Sequence, residues 1–88
     1  MASYNISFKK SASRQLRKLP PNVIKRIASR IDELENNPFP SGFEQLKVHK
    51  DPPMYRIRIG RYRILYIVDP PTKTLTIFSI GHRRHIYR

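Results

Sequence analysis

Four arginines are interleaved with apolar residues in the stretch YRIRIGRYRILY, which spans residues 55–66. A guanidinium group stays protonated and donates paired hydrogen bonds to phosphate oxygens, so arginine in place of lysine favours the binding of phosphate groups. The interleaving is typical of strands with one buried face, which gathers the charged side chains on the other face. The candidate phosphate-binding residues of this stretch are Arg56, Arg58, Arg61 and Arg63.

The last residues of the sequence, GHRRHIYR, form a second group suited to chemistry on a phosphodiester. Histidine exchanges protons near neutral pH, and a basic groove edged by histidine and tyrosine can hold a phosphodiester and move protons. Gly81 is expected to be a flexible point where the chain turns over a sheet. The side of that sheet taken by Arg83 depends on the preceding loop and stays open. The residues of interest are His82, Arg83, Arg84 and Tyr87.

The histidines are poor candidates for a metal site. His82 and His85 are three positions apart, which suits two ligands on one helical turn, but no carboxylate or cysteine lies near them and arginines surround them. We therefore expect no metal and no other cofactor. His49 is interpreted as a surface residue of a loop, and its neighbours Lys47 and Lys50 are predicted to contact phosphate groups.

Composition limits both the size of the protein and its partners. With 88 residues and 10.5 kDa, the chain is expected to form one domain with a modest core. Lysine and arginine total 18 against 6 acidic residues, and the net charge of +12 raises the local concentration of polyanions. Nucleic acid is the first partner to consider, although solvent or an acidic protein partner can also balance this charge.

Several classes of protein are excluded or disfavoured by what the sequence lacks. It has no cysteine, which excludes disulfide frameworks, thiol nucleophiles and zinc ribbons and is compatible with a reducing cytoplasm. No apolar run approaches the roughly 20 residues that span a bilayer, and the N-terminus lacks the basic-then-apolar order of a signal peptide. We therefore expect a cytoplasmic protein that does not associate with membranes.

The first half of the sequence predicts a strand and two helices. Alternating apolar residues predict a strand over residues 4–8. Residues 11–18 favour a helix with Ser11 as its N-cap, and a Pro-Pro pair ends it. A second, amphipathic helix begins with Asn22 as its N-cap and ends before NNPFPSGF, which is interpreted as a loop leading into residues 46–48.

The second half of the sequence predicts a meander of three antiparallel strands. These strands are expected over residues 54–59, 62–69 and 74–80, with turns at 60–61 and 70–73. The predicted fold class is therefore α+β, with the order strand, helix, helix and three-stranded meander. The helices are expected to pack on one face of a small, mainly antiparallel sheet.

A two-residue turn at Gly60 and Arg61 fixes the register of the arginine hairpin. Glycine at the first central position suits a type II′ turn, which places Arg58 directly opposite Arg63. Tyrosines and isoleucines then face the helices, while Arg56, Arg58 and Arg63 point into the open on the other side. Like charges across a strand pair repel by a few tenths to about 1 kcal/mol. A bound anion offsets this repulsion; solvated arginines that discourage association between sheets are the alternative.

These motifs, in this order, resemble the RelE toxins of the RelE/ParE toxin–antitoxin superfamily. The resemblance is carried by NPFPSGFEQLKVHKDPPMYRIRIGRYRILYIV and IFSIGHRRHIY, and it extends over essentially the whole chain, including YNISFKKSASRQLRKLP. It implies a RelE-like fold and a ribosome-dependent endoribonuclease that cuts messenger RNA, inhibits translation and uses no metal. It also implies two kinds of partner, namely the ribosome with its mRNA and a cognate antitoxin that is acidic and partly helical.

The resemblance also assigns roles to residues at matching positions. It implies that Arg63 and Arg83 hold the scissile phosphate, while the arginines of the first meander strand contact it or help to deprotonate the ribose 2′-hydroxyl. Tyr87 is expected to stack on a base. Arginine is a poor proton carrier, which leaves His82 as the candidate for proton transfer. The predicted catalytic residues are Arg58, Arg63, His82, Arg83 and Tyr87, and the predicted RNA contacts are Lys47, Lys50, Arg56, Arg61 and Arg84.

Two other functions fit parts of the same sequence. A ParE-like inhibitor of DNA gyrase shares the fold, but such toxins generally lack the combined set of arginine, histidine and tyrosine found here. A non-catalytic module that binds RNA or the ribosome explains the charge, but it does not explain a histidine and a tyrosine beside the arginines of the tail. DNA-damage signalling with intact mRNA would indicate the gyrase inhibitor, and RNA binding without new mRNA ends would indicate the module.

Overall fold

Strands and helices follow one another in the described part of the chain in the order strand, two helices and four strands. A computed structural model describes residues 3–50 and 52–82. One sheet contains the strands in the order β1-β5-β4-β3-β2, in which β1 is parallel to β5 and every other pair is antiparallel. The predicted α+β class is confirmed. The elements are β1 Asn5–Phe8, α1 Lys10–Arg17, α2 Pro21–Asn36, β2 Glu44–Lys50, β3 Pro53–Ile59, β4 Tyr62–Asp69 and β5 Thr74–His82.

Both helix caps lie two residues before the predicted ones. Lys9 rather than Ser11 caps α1, because its N–H still bonds to a carbonyl of β5 and the chain passes directly from β1 into the helix. Pro20 rather than Asn22 caps α2, and Pro21 takes the first helical position, where its fixed φ suits the helix. Neither cap makes a side-chain hydrogen bond, so the entering backbone sets both helix starts.

The sequence does not predict strand β2. The structure places it where a loop was expected to lead into residues 46–48, and it pairs antiparallel with β3. Its register shifts between Gln45 and Lys50, which disrupts the two-residue period that identifies a strand. His49 therefore lies in a strand, and its assignment to a loop was wrong.

An irregularity between β4 and β5 decides which side chains of β5 face the helices. The register shifts between Leu65 and Tyr66 of β4, so that Phe78 is an extra residue on β5. Without this bulge, Ile77 and Ile80 would point to opposite faces, because side chains alternate along a strand. With it, both side chains are fully buried in the same core.

The helices pack on one face of the sheet and enclose the core. Ile27 and Leu34 of α2 share this core with Ile57 and Ile64 of the hairpin, and each of these residues is at most 1% exposed. Burial of one such side chain stabilises the fold by about 1.5–3 kcal/mol. Neither helix in the described ranges has the length and apolar character to cross a membrane. The buried core members are Tyr4, Ala12, Val23, Ile27, Ile31, Leu34, Ile57, Ile59, Ile64, Tyr66, Val68, Leu75, Ile77 and Ile80.

Tyr66 fixes the loop after α2 to the centre of the sheet. Its side chain is fully buried, and its hydroxyl donates a hydrogen bond of 2.7 Å to the carbonyl oxygen of Pro38. Burial raises the pKa of the Tyr66 phenol, so the hydroxyl stays a neutral donor at physiological pH. The loop that precedes β2 is thereby held beside the arginine hairpin.

Candidate functional site

The hairpin of β3 and β4 has the register that the sequence predicts. Arg58 pairs with Arg63 across the two strands. Gly60 has a positive φ of 59° whereas Arg61 does not have a positive φ, which is the combination that a type II′ turn requires. Since paired residues share a face, Arg56, Arg58 and Arg63 lie on the side of the sheet away from the helices. We call this side the arginine face.

A row of three paired residues crosses the arginine face. It runs from Arg58 on β3 through Arg63 on β4 to Gly81 on β5. The expectation that the chain turns at Gly81 was wrong, because β5 continues through this residue to His82. Neighbouring strands lie about 4.8 Å apart, so one ligand can contact adjacent members of the row.

The arginine face is less open than the sequence predicts. The side chain of Arg58 is 60% exposed, but that of Arg56 is 14% exposed and Arg63 is buried at 6%. Arg63 lies on β4, the central strand of the sheet, and the apolar residues Met54 and Leu65 on the same face are also buried. The prediction that all three arginines point into the open was therefore wrong for Arg56 and Arg63.

Glu44 is the residue of this face that sequence reasoning missed. It pairs with Arg56 across β2 and β3 and forms a salt bridge with it, and its Oε1 lies 3.7 Å from Nη2 of Arg58. The hydrogen bond from Arg56, and then the charge of Arg56, lower the pKa of the Glu44 carboxyl. The contact depends on β2, so Glu44 could have been predicted only if residues 44–50 had been recognised as a strand.

His82 lies on the opposite side of the sheet from Arg63. It pairs with Tyr62, and the two rings meet edge to face with centroids 5.8 Å apart. Tyr62 packs against the core on the helix side, and alternation along β5 gives the arginine face to Gly81. The described structure therefore does not bring His82 and Arg63 together on one face, and the role of His82 stays a prediction.

The other predicted contact residues are divided between exposed positions and parts of the chain that are not described. Arg61 is exposed at the hairpin turn, and Lys47 is exposed on β2. The side chain of Lys50 lies outside the described part of the structure. Arg83, Arg84 and Tyr87 also lie outside the described residues, so their roles stay predictions.

An open cleft of about 390 Å³ adjoins the arginine face at the edge of the sheet. The loop before β2 forms one wall of it, and Arg58 and Arg30 contribute positive charge. The same loop presents two aromatic rings to solvent, because Phe39 and Phe43 are 38% and 39% exposed. Their ring centroids lie 5.0 and 6.0 Å from that of Tyr55. Because Tyr55 faces the helices, these two rings lie on the helix side of the sheet, in the same loop that lines the cleft.

Comparisons with known proteins identify the family of this chain. Residues 6–87 match the model of the family described as "ParE toxin of type II toxin-antitoxin system". "Putative toxin RelE1" of Methanocaldococcus jannaschii is 29% identical over 97% of this chain and 96% of its own length, and "Toxin RelG" of Mycobacterium tuberculosis is 31% identical over 97% of each. A chain of the archaeal RelE-RelB complex from Pyrococcus horikoshii superimposes with a TM-score of 0.82 at 28% identity, over 94% of this chain and 98% of that one. The predicted resemblance is confirmed, and the chain belongs to the RelE/ParE superfamily as a RelE-type toxin of type II toxin–antitoxin systems.

Proposed function

We propose that this toxin cuts messenger RNA on the ribosome, by attack of a ribose 2′-hydroxyl on the adjacent phosphate. The observation that carries the proposal is Arg63, which is 6% exposed and lies directly opposite the accessible Arg58. A guanidinium in a sheltered site interacts with a phosphate more strongly than one in water, because the effective dielectric constant is lower there. A sheltered guanidinium and an accessible one on the same face suit a phosphodiester that gains negative charge during the reaction.

The proposed reaction exchanges one bond to phosphorus for another. The 2′-oxygen bonds to phosphorus as the 5′-oxygen of the next nucleotide leaves, which yields a 2′,3′-cyclic phosphate and a 5′-hydroxyl. Arg63 and Arg58 stabilise the charge on the phosphoryl oxygens, so that basic side chains serve in place of a metal ion. The predicted phosphate contact of Arg83 and the stacking of Tyr87 on a base belong to this proposal. Proton transfer by His82 is a separate prediction, because its ring lies on the other side of the sheet from Arg63.

An acidic antitoxin is the proposed protein partner. The similar structure from P. horikoshii is a complex of RelE with RelB, and the net charge of +12 favours an acidic, partly helical segment. We propose that this segment covers the arginine face and continues around the edge of the sheet, where Phe39 and Phe43 offer it apolar anchors. Co-expression with the adjacent open reading frame should yield a complex that co-purifies. Recovery of the toxin with no small acidic partner would contradict the pairing.

One observation favours a second function with the same fold. The matching family model carries the name of ParE, and ParE-like inhibition of DNA gyrase is the alternative raised by the sequence. The row of Arg58 and Arg63 supports RNA cleavage instead. DNA-damage signalling on expression, with mRNA intact, would reverse this ranking. Action on ribosomes also implies a cytoplasmic location, which imaging of the tagged toxin in growing cells can check.

The substitution Arg63→Ala tests the proposed function. Removal of a group that stabilises the transition state should lower mRNA cleavage by a factor on the order of 10² to 10³. Arg17→Ala is the matched control, because it removes an exposed arginine from α1, far along the chain from the hairpin. The measurement is the mapping of new 5′ ends in translated messages after induction. Wild-type cleavage by the Arg63→Ala toxin would contradict the proposal.

Arg63 is buried, so its loss also tests the fold. A thermal melt of purified Arg63→Ala separates loss of activity from loss of structure. Arg63→Lys supplies a second variant, because lysine keeps the positive charge but lacks the planar pair of donors. We expect a folded Arg63→Lys toxin whose cleavage lies between those of the wild type and Arg63→Ala.

A further inference from the structure

Gly81 occupies an unusual place for a glycine, inside β5 and paired with Arg63. Glycine weakens the interior of a strand, because it loses more backbone freedom on folding than other residues and has no side chain to pack. Glycines in strands mark bulges, unusual backbone angles or places where another group approaches the backbone closely.

The fold itself does not require glycine at this position. The bulge of β5 lies at Phe78 and not at Gly81. Positive φ values among the glycines occur at Gly42 and Gly60, so Gly81 has a backbone conformation that other residues adopt. Within the described ranges, a Cβ placed on Gly81 has no heavy atom within 4 Å, whereas one on Gly60 meets Arg26 Nη2 at 3.1 Å. An alanine therefore fits at Gly81 in the described structure without strain or collision.

The open space at Gly81 lies on the arginine face. Directly opposed residues of an antiparallel pair point their side chains to the same side, so a side chain at this position would stand beside that of Arg63. Gly81 ends the row that begins at Arg58. The parallel pairing of β1 with β5 ends at Ile77. Beyond it, the side chain of Gln15 on α1 accepts a hydrogen bond of 2.8 Å from the Ile80 N–H, so α1 lies along this edge of β5. In the described ranges, the room at Gly81 therefore lies over the arginine face, beside Arg63.

We infer that Gly81 is a specificity-determining residue, which keeps room beside Arg63 for the sugar–phosphate backbone of an RNA strand. The inference rests on the proposed function, since the ligand it names is the RNA that the toxin cuts. A ribose and its phosphate are bulky, and they can reach a guanidinium on a central strand when the neighbouring strand carries no side chain there. Any side chain at position 81 occupies part of this path.

Substitutions at Gly81 that leave the fold intact test the inference. Gly81→Ala and Gly81→Val add progressively larger side chains, and the thermal melting temperature should stay the same or rise slightly, because both residues fit a strand better than glycine. Thr76→Val is the control, since Thr76 pairs with Ile67 on the same face of β5 but away from Arg63. Binding is measured with a 2′-O-methylated RNA that cannot be cut, and cleavage is measured on translated mRNA.

The expected losses of RNA binding and cleavage follow from the volume of the side chain added at position 81. An extra methyl group in a well-fitted site changes binding by about 10- to 200-fold, so we expect at least about a 10-fold loss for Gly81→Ala and about a 100-fold loss for Gly81→Val in both assays. Thr76→Val should behave as the wild type. Wild-type binding and cleavage by Gly81→Val would overturn the inference and leave the proposed function standing, as would a lower melting temperature for Gly81→Ala with unchanged activity per folded molecule.

The same assays separate this inference from the proposed function. A wild-type toxin that binds the 2′-O-methylated RNA with the expected sensitivity at Gly81, but cuts no mRNA, would overturn the nuclease and keep the RNA path beside Arg63. A wild-type toxin that neither binds nor cuts RNA would overturn both.

Discussion

Single residues give the arginine face its balance of charge. Arg56 forms a salt bridge with Glu44. The same carboxylate lies 3.7 Å from Arg58, which is accessible to solvent. Arg63 is buried on the central strand of the sheet. A negative side chain between basic ones occupies a position that a phosphate could take. Under the proposed function, Glu44 therefore sets how strongly Arg56 and Arg58 attract RNA.

Replacement of Glu44 by glutamine should strengthen RNA binding. The substitution removes the carboxylate that competes with phosphate for Arg56 and Arg58, and the pair is partly solvated, so we expect a rise of about two- to fivefold in affinity. The measurement is a titration of uncleavable RNA against both proteins. Weaker binding by Glu44→Gln would show instead that the carboxylate holds the arginines in place for RNA.

The same substitution should change how stability depends on pH. The pKa of Glu44 is lower in the folded chain than its ordinary value of 4.5, so its ionised form stabilises the fold above that pH. This contribution is lost as the pH falls through the lowered folded value. The free energy of unfolding of Glu44→Gln, measured with urea, should therefore depend less steeply on pH below 4.5 than that of the wild type. Equal slopes would show that the salt bridge does not form in solution.

His82 supplies a test of the role assigned to it by sequence. Its ring lies against Tyr62, on the other side of the sheet from Arg63. We therefore expect His82→Ala to reduce mRNA cleavage less than Arg63→Ala does, in the same mapping of RNA ends. A loss as large as that of Arg63→Ala would place the imidazole at the reacting atoms and would require the chain to bring the two faces together.

Two local features of the strands, the turn at Gly60 and the bulge at Phe78, position the arginines and His82. The turn fixes which arginines oppose each other, and its geometry follows from a single glycine, so the register of the hairpin could be predicted from the sequence. The bulge reverses the alternation of β5, and no residue type marks it. The face taken by His82 therefore could not be predicted.

Replacement of Gly60 by alanine should destabilise the hairpin. The φ of 59° costs an L-residue roughly 1–2 kcal/mol, and a Cβ would also lie 3.1 Å from Arg26 Nη2. We expect a loss of about that size in the free energy of unfolding, measured with urea. Gly60→Asn is the comparison, because asparagine tolerates this conformation better, and it should lose less. Equal stability of Gly60→Ala and the wild type would contradict the strained turn.

Strand β2 shows the limit of sequence reasoning about elements. Its irregular register hides the alternation by which the strands of the hairpin were recognised, and the preceding prolines and glycine indicate only a loop. The salt bridge of Glu44 with Arg56 depends on this strand. The three arginines of the site could thus be predicted, whereas the carboxylate among them and the burial of Arg63 could not.

For the molecule as a whole, the net charge of +12 leads us to expect that the proposed binding to RNA depends on salt. The logarithm of the affinity for single-stranded RNA should fall linearly with the logarithm of the salt concentration, with a slope of about −0.7 for each phosphate neutralised. Arg58→Gln should reduce the magnitude of the slope by about 0.7, whereas Arg17→Gln on α1 should leave it unchanged. Equal slopes for the wild type and both variants would show that Arg58 does not contact RNA.

The central claim is that the 2′-hydroxyl of the substrate attacks the phosphate held at the arginine face. The most direct test uses purified toxin, ribosomes and an mRNA that carries one 2′-deoxynucleotide immediately before the cut phosphate, with the same substitution one codon away as the control. We predict that the first message stays intact and that the control is cut to a 2′,3′-cyclic phosphate and a 5′-hydroxyl. Cleavage of the first message at the same bond would contradict the account.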